Sequence, residues 1–523
     1  MTDDPDLSPA SCLAASAQRH PHRPCLVWFD GPGPGPTRTE PGTGIGRRPA
    51  RVLEARDAAS TVARLARVLT ERGVTPGTRV AVVAPNSPWH FLLHAACAWL
   101  GAATVPLSPR RPASDLADLL RSCDPVLLLT HGVADIDVPC PRVGLDDLGP
   151  LVRAARPADG TPPARHGELA TLVHTSGSTG APRAVELTHA NLWWGAQCFR
   201  EGFEYSPATD VVGVCAPLSH IGGFNGTALD MFSHSGTVVV MDDPFDVDAT
   251  LDAIERFRVT TMFVVPTMCR AVLVAHARRP RDLSSWRLPL VGGDALDDTL
   301  EEELRGIGLR PLHVWGMTET SGAGAFRSLD DATAPPSSIG RPFAHVFLRL
   351  VDPAGREVTT PGTPGEVEVA GPGVTTGYFR RPLETARSRD GRWWRTGDLA
   401  RIDEGGALHL IARLSRMIST GGETVAPPRV EAALRSRPGV RDALVVGIPD
   451  RYWGRRVAAL VVAEDPVSPP DADDLLGGLA DLLAPWELPR TLVWVDALPL
   501  TPMGKADTQE ACRIVVEDRA RTA

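Results

Sequence analysis

Short apolar runs alternate with segments of helical spacing along most of the chain. Runs rich in β-branched residues predict buried strands at 79–83, 126–130, 211–215, 237–241 and 261–265. Apolar residues that recur at i, i+3 and i+4 predict helices at 58–72, 89–100 and 114–122. Strands that alternate with helices usually form parallel sheets with helices on both faces. The pattern therefore predicts an α/β fold with largely parallel sheets.

The pattern changes in the last third of the chain. From Arg349 onward, short apolar strands follow one another with turns between them, which predicts a small β-rich unit. The stretch from Val425 to Val516 alternates again, and its length is typical of a compact α+β domain of about 100 residues. A Gly/Pro-rich segment at 31–49 predicts a surface loop or hairpin insertion, and a Pro-rich segment at 465–472 predicts a second loop.

Composition excludes several classes of function. The 523 residues are 43% hydrophobic and 22% charged, which is ordinary for a globular protein of several domains and wrong for a disordered one. The net charge of −9 argues against nucleic acid as the main partner, because that binding needs clustered basic charge. Among the 54 basic residues, Lys505 is the single lysine and all the others are arginine.

The cysteines and the apolar segments indicate a cytoplasmic protein without a membrane span. The nine cysteines are dispersed and form no CxxC pair, which is typical of reduced thiols in the cytosol. The first residues are acidic and lack the basic and apolar parts of a signal peptide. The uncharged stretch at 80–109 contains Pro, Asn and His, so it predicts two strands and a buried helix rather than a membrane helix.

The strongest local signal is the Ser/Gly-rich segment from His174 to Val185. It follows the apolar run 169–173 and precedes a helix predicted to begin near Thr188. Its glycines let backbone N–H groups point inward, and its hydroxyl groups add donors, so the segment can hold a polyphosphate. The Walker pattern GxxxxGK[ST] is absent. The candidate phosphate-binding residues are Thr175, Ser176, Gly177, Ser178, Thr179, Gly180 and Arg183.

The sequence TSGSTGAPR at 175–183 resembles the phosphate loop of the adenylate-forming enzymes. That superfamily contains acyl- and aryl-CoA ligases, firefly luciferase and the adenylation domains of nonribosomal peptide synthetases. Other segments resemble further family motifs and follow in the family's order, which makes coincidence very improbable. They are APLSHIGGF (216–224), VGGDAL (291–296), WGMTET (315–320), SIGRP (338–342), GE (365–366), RTGDL (395–399), AR (412–413), MISTGGE (417–423) and PLTPMGK (499–505).

The resemblance implies an architecture and a reaction. The architecture is an N-terminal adenylation domain (1–412), a hinge (413–416) and a small mobile C-terminal lid domain (417–523) with the catalytic lysine. The reaction uses ATP and Mg²⁺: the carboxylate of an acid attacks the α-phosphate, and pyrophosphate leaves. Because two anions approach each other, the site needs positive charge and directed hydrogen-bond donors.

The resemblance also implies the roles of single residues. Lys505 would bridge the acid and the α-phosphate, for which a compact ammonium on a flexible stem is well suited. Thr318 would bind phosphate, Glu319 would ligate Mg²⁺, and His220 would lie at the carboxylate end of the acid. Trp315 would lie beside adenine, and Asp398 and Arg413 would contact the ribose. The remaining nucleotide-binding candidates are Gly292, Gly293, Asp294, Gly316 and Met317. The acid-binding candidates are His220, Gly223, Phe224, Gly292 and Met317, and the acceptor loop contains Gly421 and Gly422.

The sequence departs from the family pattern at a few positions. The phosphate loop usually continues Pro-Lys-Gly, and here it reads Pro182-Arg183-Ala184. Two residues after Arg413 the family usually has Asp or Lys as the pivot of domain rotation, and here it has Ser415. The usual Gly-Glu pair of the C-terminal domain reads Gly454-Arg455. The first departure barely concerns adenylation, whereas the other two concern the second half-reaction.

Three functions are open at this point. The first is an acid–CoA ligase whose lid domain rotates to admit the CoA thiol, and the segment 417–423 favours it. The second is a ligase that transfers the acyl group to an amine or to a carrier-protein thiol, and Ser415 and Arg455 favour it. The third is a non-catalytic nucleotide- or acyl-binding relative, against which Lys505 and Glu319 argue.

The acid is expected to be a small carboxylic acid, aromatic or medium-sized. Segment 216–224 lacks the Asp with which amino-acid-activating domains hold an α-amine, so a free amino acid is not expected. The glycine pairs at 222–223 and 292–293 leave space beside the acyl group. Phe224 offers a flat apolar wall, whereas the pair Trp193-Trp194 is better explained as a partly buried helix face.

Overall fold

The computed structural model describes most of the chain. The described residues are 8–29, 33, 38–40, 48–133, 136–163, 166–175, 182–294, 296, 298–328, 338–420, 422–479, 482–501 and 505–522. Six candidate site residues lie outside them: Ser176, Gly177, Ser178, Thr179, Gly180 and Gly421.

The strands of the structure follow in chain order. They are β1 (Pro24–Trp28), β2 (Arg38–Glu40), β3 (Ala50–Glu54), β4 (Arg79–Val83), β5 (Ala103–Leu107), β6 (Leu127–Thr130), β7 (Arg142–Gly144), β8 (Leu169–Thr175), β9 (Arg183–Thr188), β10 (Val211–Val214), β11 (Thr237–Val240), β12 (Thr261–Val264), β13 (Leu288–Gly292), β14 (Leu312–Trp315), β15 (Ala325–Phe326), β16 (Arg341–Pro342), β17 (Phe347–Val351), β18 (Gly365–Ala370), β19 (Gly377–Tyr378), β20 (Arg389–Asp390), β21 (Trp393–Ile402), β22 (Leu408–Arg413), β23 (Ile418–Thr420), β24 (Glu423–Val425), β25 (Val440–Asp450), β26 (Gly454–Ala463) and β27 (Leu492–Trp494).

The helices are α1 (Pro9–Arg19), α2 (Ala55–Thr70), α3 (Trp89–Leu100), α4 (Ala113–Cys123), α5 (Leu145–Ala154), α6 (His189–Phe203), α7 (Ile221–Phe224), α8 (Ala228–Ser233), α9 (Val247–Phe257), α10 (Pro266–Arg278), α11 (Asp298–Gly306), α12 (Pro382–Arg387), α13 (Pro427–Arg435), α14 (Ala472–Gly477) and α15 (Thr508–Thr522). Short 3₁₀ turns occur at Thr318–Thr320 and Leu414–Arg416. The predicted strand at 79–83 and the predicted helix at 89–100 match residue for residue, and the other predicted elements are confirmed with small shifts at their ends.

The chain divides into two compact units. The first contains Met1–Leu348 and Glu368–Arg395, and the second contains Arg349–Val367 and Thr396–Ala523. The boundaries of this division fall within the strands β17, β18 and β21. These strands belong to a five-stranded sheet with the order β17-β18-β21-β20, in which β22 also pairs with β21. The predicted hinge at 413–416 and the boundaries drawn from it stay predictions.

Two largely parallel sheets form the first unit, as the hydrophobic pattern predicts. One has the strand order β16-β15-β14-β13-β12-β10-β11-β1-β3-β2, and its central strands from β14 to β1 are all parallel. The other has the order β19-β9-β8-β5-β4-β6-β7, in which β8 to β7 are parallel, β9 pairs antiparallel with β8, and β19 pairs antiparallel with β9. Strand β2, from the Gly/Pro-rich segment, forms an antiparallel hairpin with β3.

Four parallel strands of the first sheet end side by side. Strand β12 pairs with β10 on one side and with β13 on the other, and β13 pairs with β14. Loops that follow parallel strands leave the same edge of a sheet, and ligands of open α/β proteins bind outside the carboxyl ends of such strands. A ligand-binding site is therefore expected at the loops after β10, β12, β13 and β14.

The second unit is an α+β domain, as predicted from the sequence. The long hairpin β25–β26 pairs with β27, and helices pack on both faces of this sheet. One face buries Leu434 of α13 with Ile418 and Val461, and the other buries Ala511 and Val515 of α15 with Leu460. In the described part of both units, no helix is long and apolar enough to cross a membrane.

We predict that buried histidines make the first unit sensitive to acid. Burial lowers the pKa of His94 to about 3 and those of His90, His174 and His313 to about 4. The unfolded chain takes up protons near pH 6.5 while the folded chain does not, so stability falls as the pH drops from 6.5 toward these values. Each such group contributes up to about 1.4 kcal/mol per pH unit.

The thermal unfolding midpoint should therefore be lower at pH 5 than at pH 7.5. His94→Asn keeps a polar group near Nδ1, which lies 3.0 Å from Thr104 Oγ1, and removes the titration, so its pH dependence should be weaker than that of the wild type. The control is Gln18→Asn, at an exposed residue that carries no titratable group, and its pH dependence should stay that of the wild type. Identical pH profiles for the wild type and His94→Asn would contradict the prediction.

Candidate active site

The segment after β10 is held by a side chain from another sheet. Asn86, which follows β4, donates from Nδ2 to the carbonyl of Ala216 at 3.0 Å and accepts from the N–H of Leu218 at 2.8 Å. This fixes the turn that leads to His220, the residue just before α7. A Cβ on Gly223 would lie 2.5 Å from the carbonyl oxygen of Pro217, so glycine lets the turn close this tightly. Sequence reasoning missed Asn86.

The segment after β14 is a tight turn that presents Thr318 and Glu319. A Cβ on Gly316 would overlap the carbonyl oxygen of Gly322, so the turn closes only because residue 316 is glycine. The Thr320 hydroxyl accepts from the N–H of Met317 at 3.1 Å and caps the 3₁₀ turn. Trp315 is buried at the end of β14, and its ring lies against Gly324.

The Glu319 carboxylate is buried and oriented by Tyr378 of β19. The Tyr378 hydroxyl donates to Glu319 Oε1 at 2.8 Å, and the N–H of Thr375 donates to the Glu319 carbonyl at 2.7 Å. Burial, together with the negative charge of Glu319, raises the pKa of Tyr378 to about 12, so the hydroxyl stays a donor at neutral pH. The Arg183 guanidinium lies 5.2 Å from the centre of the Tyr378 ring. A positive charge from the predicted phosphate segment thus lies next to the group that holds Glu319.

Arg183 is itself positioned by an ion pair. Its Nε lies 2.9 Å from Glu384 Oε2, on α12. Ala184, the departure from the family's glycine, is buried in β9, and its carbonyl accepts from the N–H of Phe379 at 2.9 Å. The sequence motifs indicated Arg183 and Glu319, but neither Tyr378 nor Glu384 belonged to a recognised motif.

The other predicted residues of the first unit are distributed around these turns. Gly292 ends β13, and Gly293 has a φ of 85°, a conformation that favours glycine. Asp294 is exposed, and Met317 and Thr318 are half-buried. Phe224 is buried, stacked on Phe91 and edge-on to His94, so the core surrounds its ring. Trp193 and Trp194 are half-buried on α6, as the helix-face interpretation expects.

In the second unit, the two motifs assigned to the ribose meet across a hairpin. Asp398 of β21 and Arg413 of β22 are direct strand partners. Arg413 Nε lies 2.9 Å from Asp398 Oδ1, and Arg413 Nη1 donates to the Thr396 carbonyl at 2.9 Å. Asp398 is buried, and its N–H donates to the Thr396 hydroxyl at 3.1 Å. The arrangement gives a fixed carboxylate that can accept hydrogen bonds from a diol.

Among the remaining predicted residues of the second unit, Gly422 and Ser415 lie in turns, Lys505 lies between β27 and α15, and Arg455 lies in β26. Lys505 is half-buried, and its carbonyl accepts from the N–H of Thr501 at 2.7 Å. Gly422, between β23 and β24, has a φ of 90°, and a Cβ there would contact no described atom within 4 Å. Ser415 lies in the turn Leu414–Arg416, and Arg455 donates to the carbonyl of Gly447 at 2.8 Å. Arg455 thus stabilises the hairpin β25–β26.

Comparison with family models agrees with this arrangement. Residues 13–379 match the model of the AMP-binding enzyme family, and residues 429–505 match that of the AMP-binding enzyme C-terminal domain. The chain belongs to the AMP-binding enzyme family.

Relatives and solved structures of this family are similar over nearly the whole chain. Feruloyl-CoA synthase of an Amycolatopsis species is 38% identical over 85% of this chain and 90% of its own. Indoleacetate–CoA ligase of Aromatoleum aromaticum is 32% identical over 91% of this chain and 96% of its own. The structure of o-succinylbenzoate CoA synthetase from Bacillus subtilis, in complex with ATP and magnesium ion, has a TM-score of 0.82 and 27% identity over 96% of this chain and 98% of its own.

The described residues of this AMP-binding enzyme fit a nucleotide that carries Mg²⁺. Glu319 supplies one buried carboxylate, and its neighbour in the chain, Thr318, supplies a hydroxyl. Mg²⁺ in nucleotide sites commonly uses one or two carboxylates together with phosphate oxygens and water. Across the described residues, no group of three or more His, Cys, Asp or Glu side chains could hold a metal by itself. The donors therefore suit a metal that is shared with phosphate.

We predict that Tyr378→Phe raises the apparent constant of this AMP-binding enzyme for Mg²⁺, so that more Mg²⁺ is needed for the same rate. The variant keeps the ring, its edge contact with Trp394 and its contact with Arg183, but removes the donor to Glu319. A hydrogen bond to a charged group contributes about 1.5–3 kcal/mol, so the apparent constant for Mg²⁺ at fixed ATP should rise about tenfold or more. The control is Tyr452→Phe, at an exposed tyrosine. Equal Mg²⁺ constants for both variants would refute the assigned role of Tyr378.

Proposed function

We propose that the protein is an AMP-forming acid–CoA ligase. The observation that carries the proposal is the convergence of the 216–224, 292–294 and 315–320 segments at the carboxyl ends of neighbouring parallel strands. Proteins named as CoA ligases and synthases are similar over most of the chain, which supports the same conclusion. The family places ATP, Mg²⁺ and an acid in such a site.

In the first half-reaction, an acid carboxylate attacks the α-phosphorus of ATP. A new bond joins the carboxylate oxygen to phosphorus, the bond from the α-phosphorus to the bridging oxygen breaks, and pyrophosphate leaves. In our proposal Glu319 holds Mg²⁺ and Thr318 contacts phosphate. Segment 175–183 contributes donors and the charge of Arg183, which offset the repulsion between the two anions.

Other residues bind the two substrates. We assign the ribose hydroxyls to Asp398 and Arg413, and the adenine to Trp315 with Gly292, Gly293, Asp294, Gly316 and Met317. His220 is assigned to the carboxylate end of the acid, next to the backbone of Gly223. The aromatic acids in the names of two relatives, ferulate and indoleacetate, support an aromatic acid for this chain as well.

In the second half-reaction, a thiol attacks the carbonyl carbon of the acyl-adenylate, and AMP leaves. We propose that the acyl acceptor reaches the acyl-adenylate past Gly421 and Gly422. The open space beside Gly422 leaves room for a thiol arm. CoA is the proposed acceptor. An amine or a carrier-protein thiol is the alternative, which Ser415 favours because the pivot lacks its usual charge.

We also propose that the protein works in the cytoplasm. All nine cysteines are free, and eight of them lie in or beside the first unit's helices and strands, mostly buried. Burial raises the pKa of the thiols of Cys25, Cys215 and Cys269 to about 12, so they stay protonated and unreactive. Free thiols of this kind suit a reducing compartment.

We predict release of pyrophosphate when ATP, Mg²⁺ and the correct acid are present. A panel of aromatic and aliphatic acids should be assayed without an acceptor, with CoA and with amines. CoA should raise the steady-state rate and give a thioester and AMP. Release of ADP and phosphate would overturn the proposed function, because it would place the attack on the γ-phosphate. Steady turnover with an amine and no response to CoA would favour the alternative acceptor.

We predict that Lys505→Ala slows formation of the acyl-adenylate about 10²–10³-fold, the effect of removing one positioned electrostatic donor. ATP binding and the unfolding midpoint should change little, because the side chain is only half-buried. Lys505→Arg should also be slow, because a planar fork places the charge differently. The control is Arg441→Ala, at an exposed basic residue of the same unit. Adenylation by either Lys505 variant at a rate near that of the wild type would contradict the assignment.

A further inference from the structure

Glu384 of α12 bridges two arginines with its two carboxylate oxygens. Its Oε2 lies 2.9 Å from Arg183 Nε, and its Oε1 accepts from Arg381 Nη1 at 2.7 Å. The side chains of Arg183 and Glu384 are 16% and 25% exposed, whereas that of Arg381 is 46% exposed. One carboxylate thus pairs with a shielded guanidinium through one oxygen and with a half-exposed guanidinium through the other.

The backbone next to Glu384 is anchored to the residue that orients the candidate Mg²⁺ ligand. The N–H of Tyr378 donates to Thr385 Oγ1 at 2.9 Å, and the hydroxyl of Tyr378 donates to Glu319. The negative charge of Glu384 is therefore held at a fixed place, beside the positive charge that Arg183 contributes from the end of the phosphate segment.

This arrangement sets two anions in competition for one guanidinium. The proposed function assigns Arg183 to the phosphates of ATP, but in this structure its Nε lies against Glu384. A guanidinium binds carboxylate and phosphate with the same forked geometry, so either anion can be its partner. A shielded carboxylate that loses its cation is unfavourable unless another cation stays beside it. Arg381 is a cation that can stay.

We propose that Arg183 exchanges Glu384 for phosphate when ATP binds, and that Arg381 keeps the Glu384 carboxylate paired after the exchange. The inference rests on the proposed function, which assigns Arg183 to ATP phosphate. Glu384 is then a counter-charge that the nucleotide displaces, and Arg381 lowers the free energy needed to displace it. Both are positioning residues that act on the nucleotide through Arg183.

The two residues should therefore affect ATP binding in opposite directions. Glu384→Gln removes the competing charge, so the Kd for Mg·ATP should fall about three- to tenfold, since a shielded ion pair is screened less than an exposed one. Arg381→Gln removes the cation that stays with the carboxylate, so Arg183 is held more firmly and the Kd should rise about two- to fivefold. In the Glu384→Gln background, Arg381→Gln should have no further effect.

The experiment measures the Kd by titration calorimetry, first with Mg·ATP in the absence of acid and then with adenosine. Adenosine carries no phosphate, so its Kd should be the same in the wild type and in all variants. The matched control is the exposed pair of Asp118 and Arg121 on α4, which has the same three-residue spacing as Arg381 and Glu384. Asp118→Asn and Arg121→Gln should leave the Kd for Mg·ATP at the wild-type value.

The sign of each change decides the outcome. A higher Kd for Mg·ATP in Glu384→Gln would overturn the inference, because Glu384 would then hold Arg183 in the position that binds phosphate. Changes of the same sign in Glu384→Gln and Arg381→Gln, or equal changes for adenosine and ATP, would overturn it as well, because they indicate a general effect on folding. Glu384→Ala removes the same charge without adding an amide, so it provides a second variant in which the Kd should fall.

Failure of the proposed function has a different signature. A wild type that binds neither Mg·ATP nor adenosine would overturn the assignment of the nucleotide site, and the inference with it. A wild type that binds ATP and releases pyrophosphate with an acid, while the Glu384 and Arg381 variants keep its Kd for ATP, would overturn the inference alone.

Discussion

Parallel pairing of four adjacent strands is the constraint on which the candidate site depends. Because β10, β12, β13 and β14 run in the same direction, the loops that follow them leave one edge of the sheet together. The residues of these loops are far apart in the chain, and only the pairing of the strands brings them near one another. The tight turns at Gly223 and Gly316 then press backbone against backbone, which fixes the positions of His220, Thr318 and Glu319 before any substrate binds.

Buried polar contacts add a second level of order to this edge. Asn86 ties the β10 loop to the neighbouring sheet, and Tyr378 ties Glu319 to β19. Both contacts leave a polar or charged group with a defined direction in a place from which water is largely excluded, where a missing partner would be costly. A site that must bring two anions together gains from such order, because its donors and charges need no rearrangement during the reaction.

Periodicity predicted the buried strands β4, β5, β6, β10, β11 and β12 and the helices α2, α3 and α4. Motifs gave the candidate residues Glu319, Arg183, Asp398 and Arg413. Local spacing determines such features: apolar alternation marks β4 and α3, and the glycine positions mark the turns. Asn86 and Tyr378 were not predicted, because their roles come from contacts across long separations in sequence. Asn86 reaches a carbonyl 130 residues away, and Tyr378 reaches a carboxylate 59 residues away. The local sequence around a single Asn or Tyr does not predict a hydrogen-bond partner that is so distant in the chain.

The half-buried position of Lys505 has a consequence for chemical labelling. Lysine ε-amines are the usual targets of acylating reagents, and this chain offers such reagents one side chain, since its other basic residues are arginines. Modification of this lysine would therefore place one reporter group at a known position, on the residue whose carbonyl accepts from the N–H of Thr501. The rate of modification at Lys505, followed by mass spectrometry as nucleotide and acid are added, would measure how far this side chain is shielded at each stage of turnover.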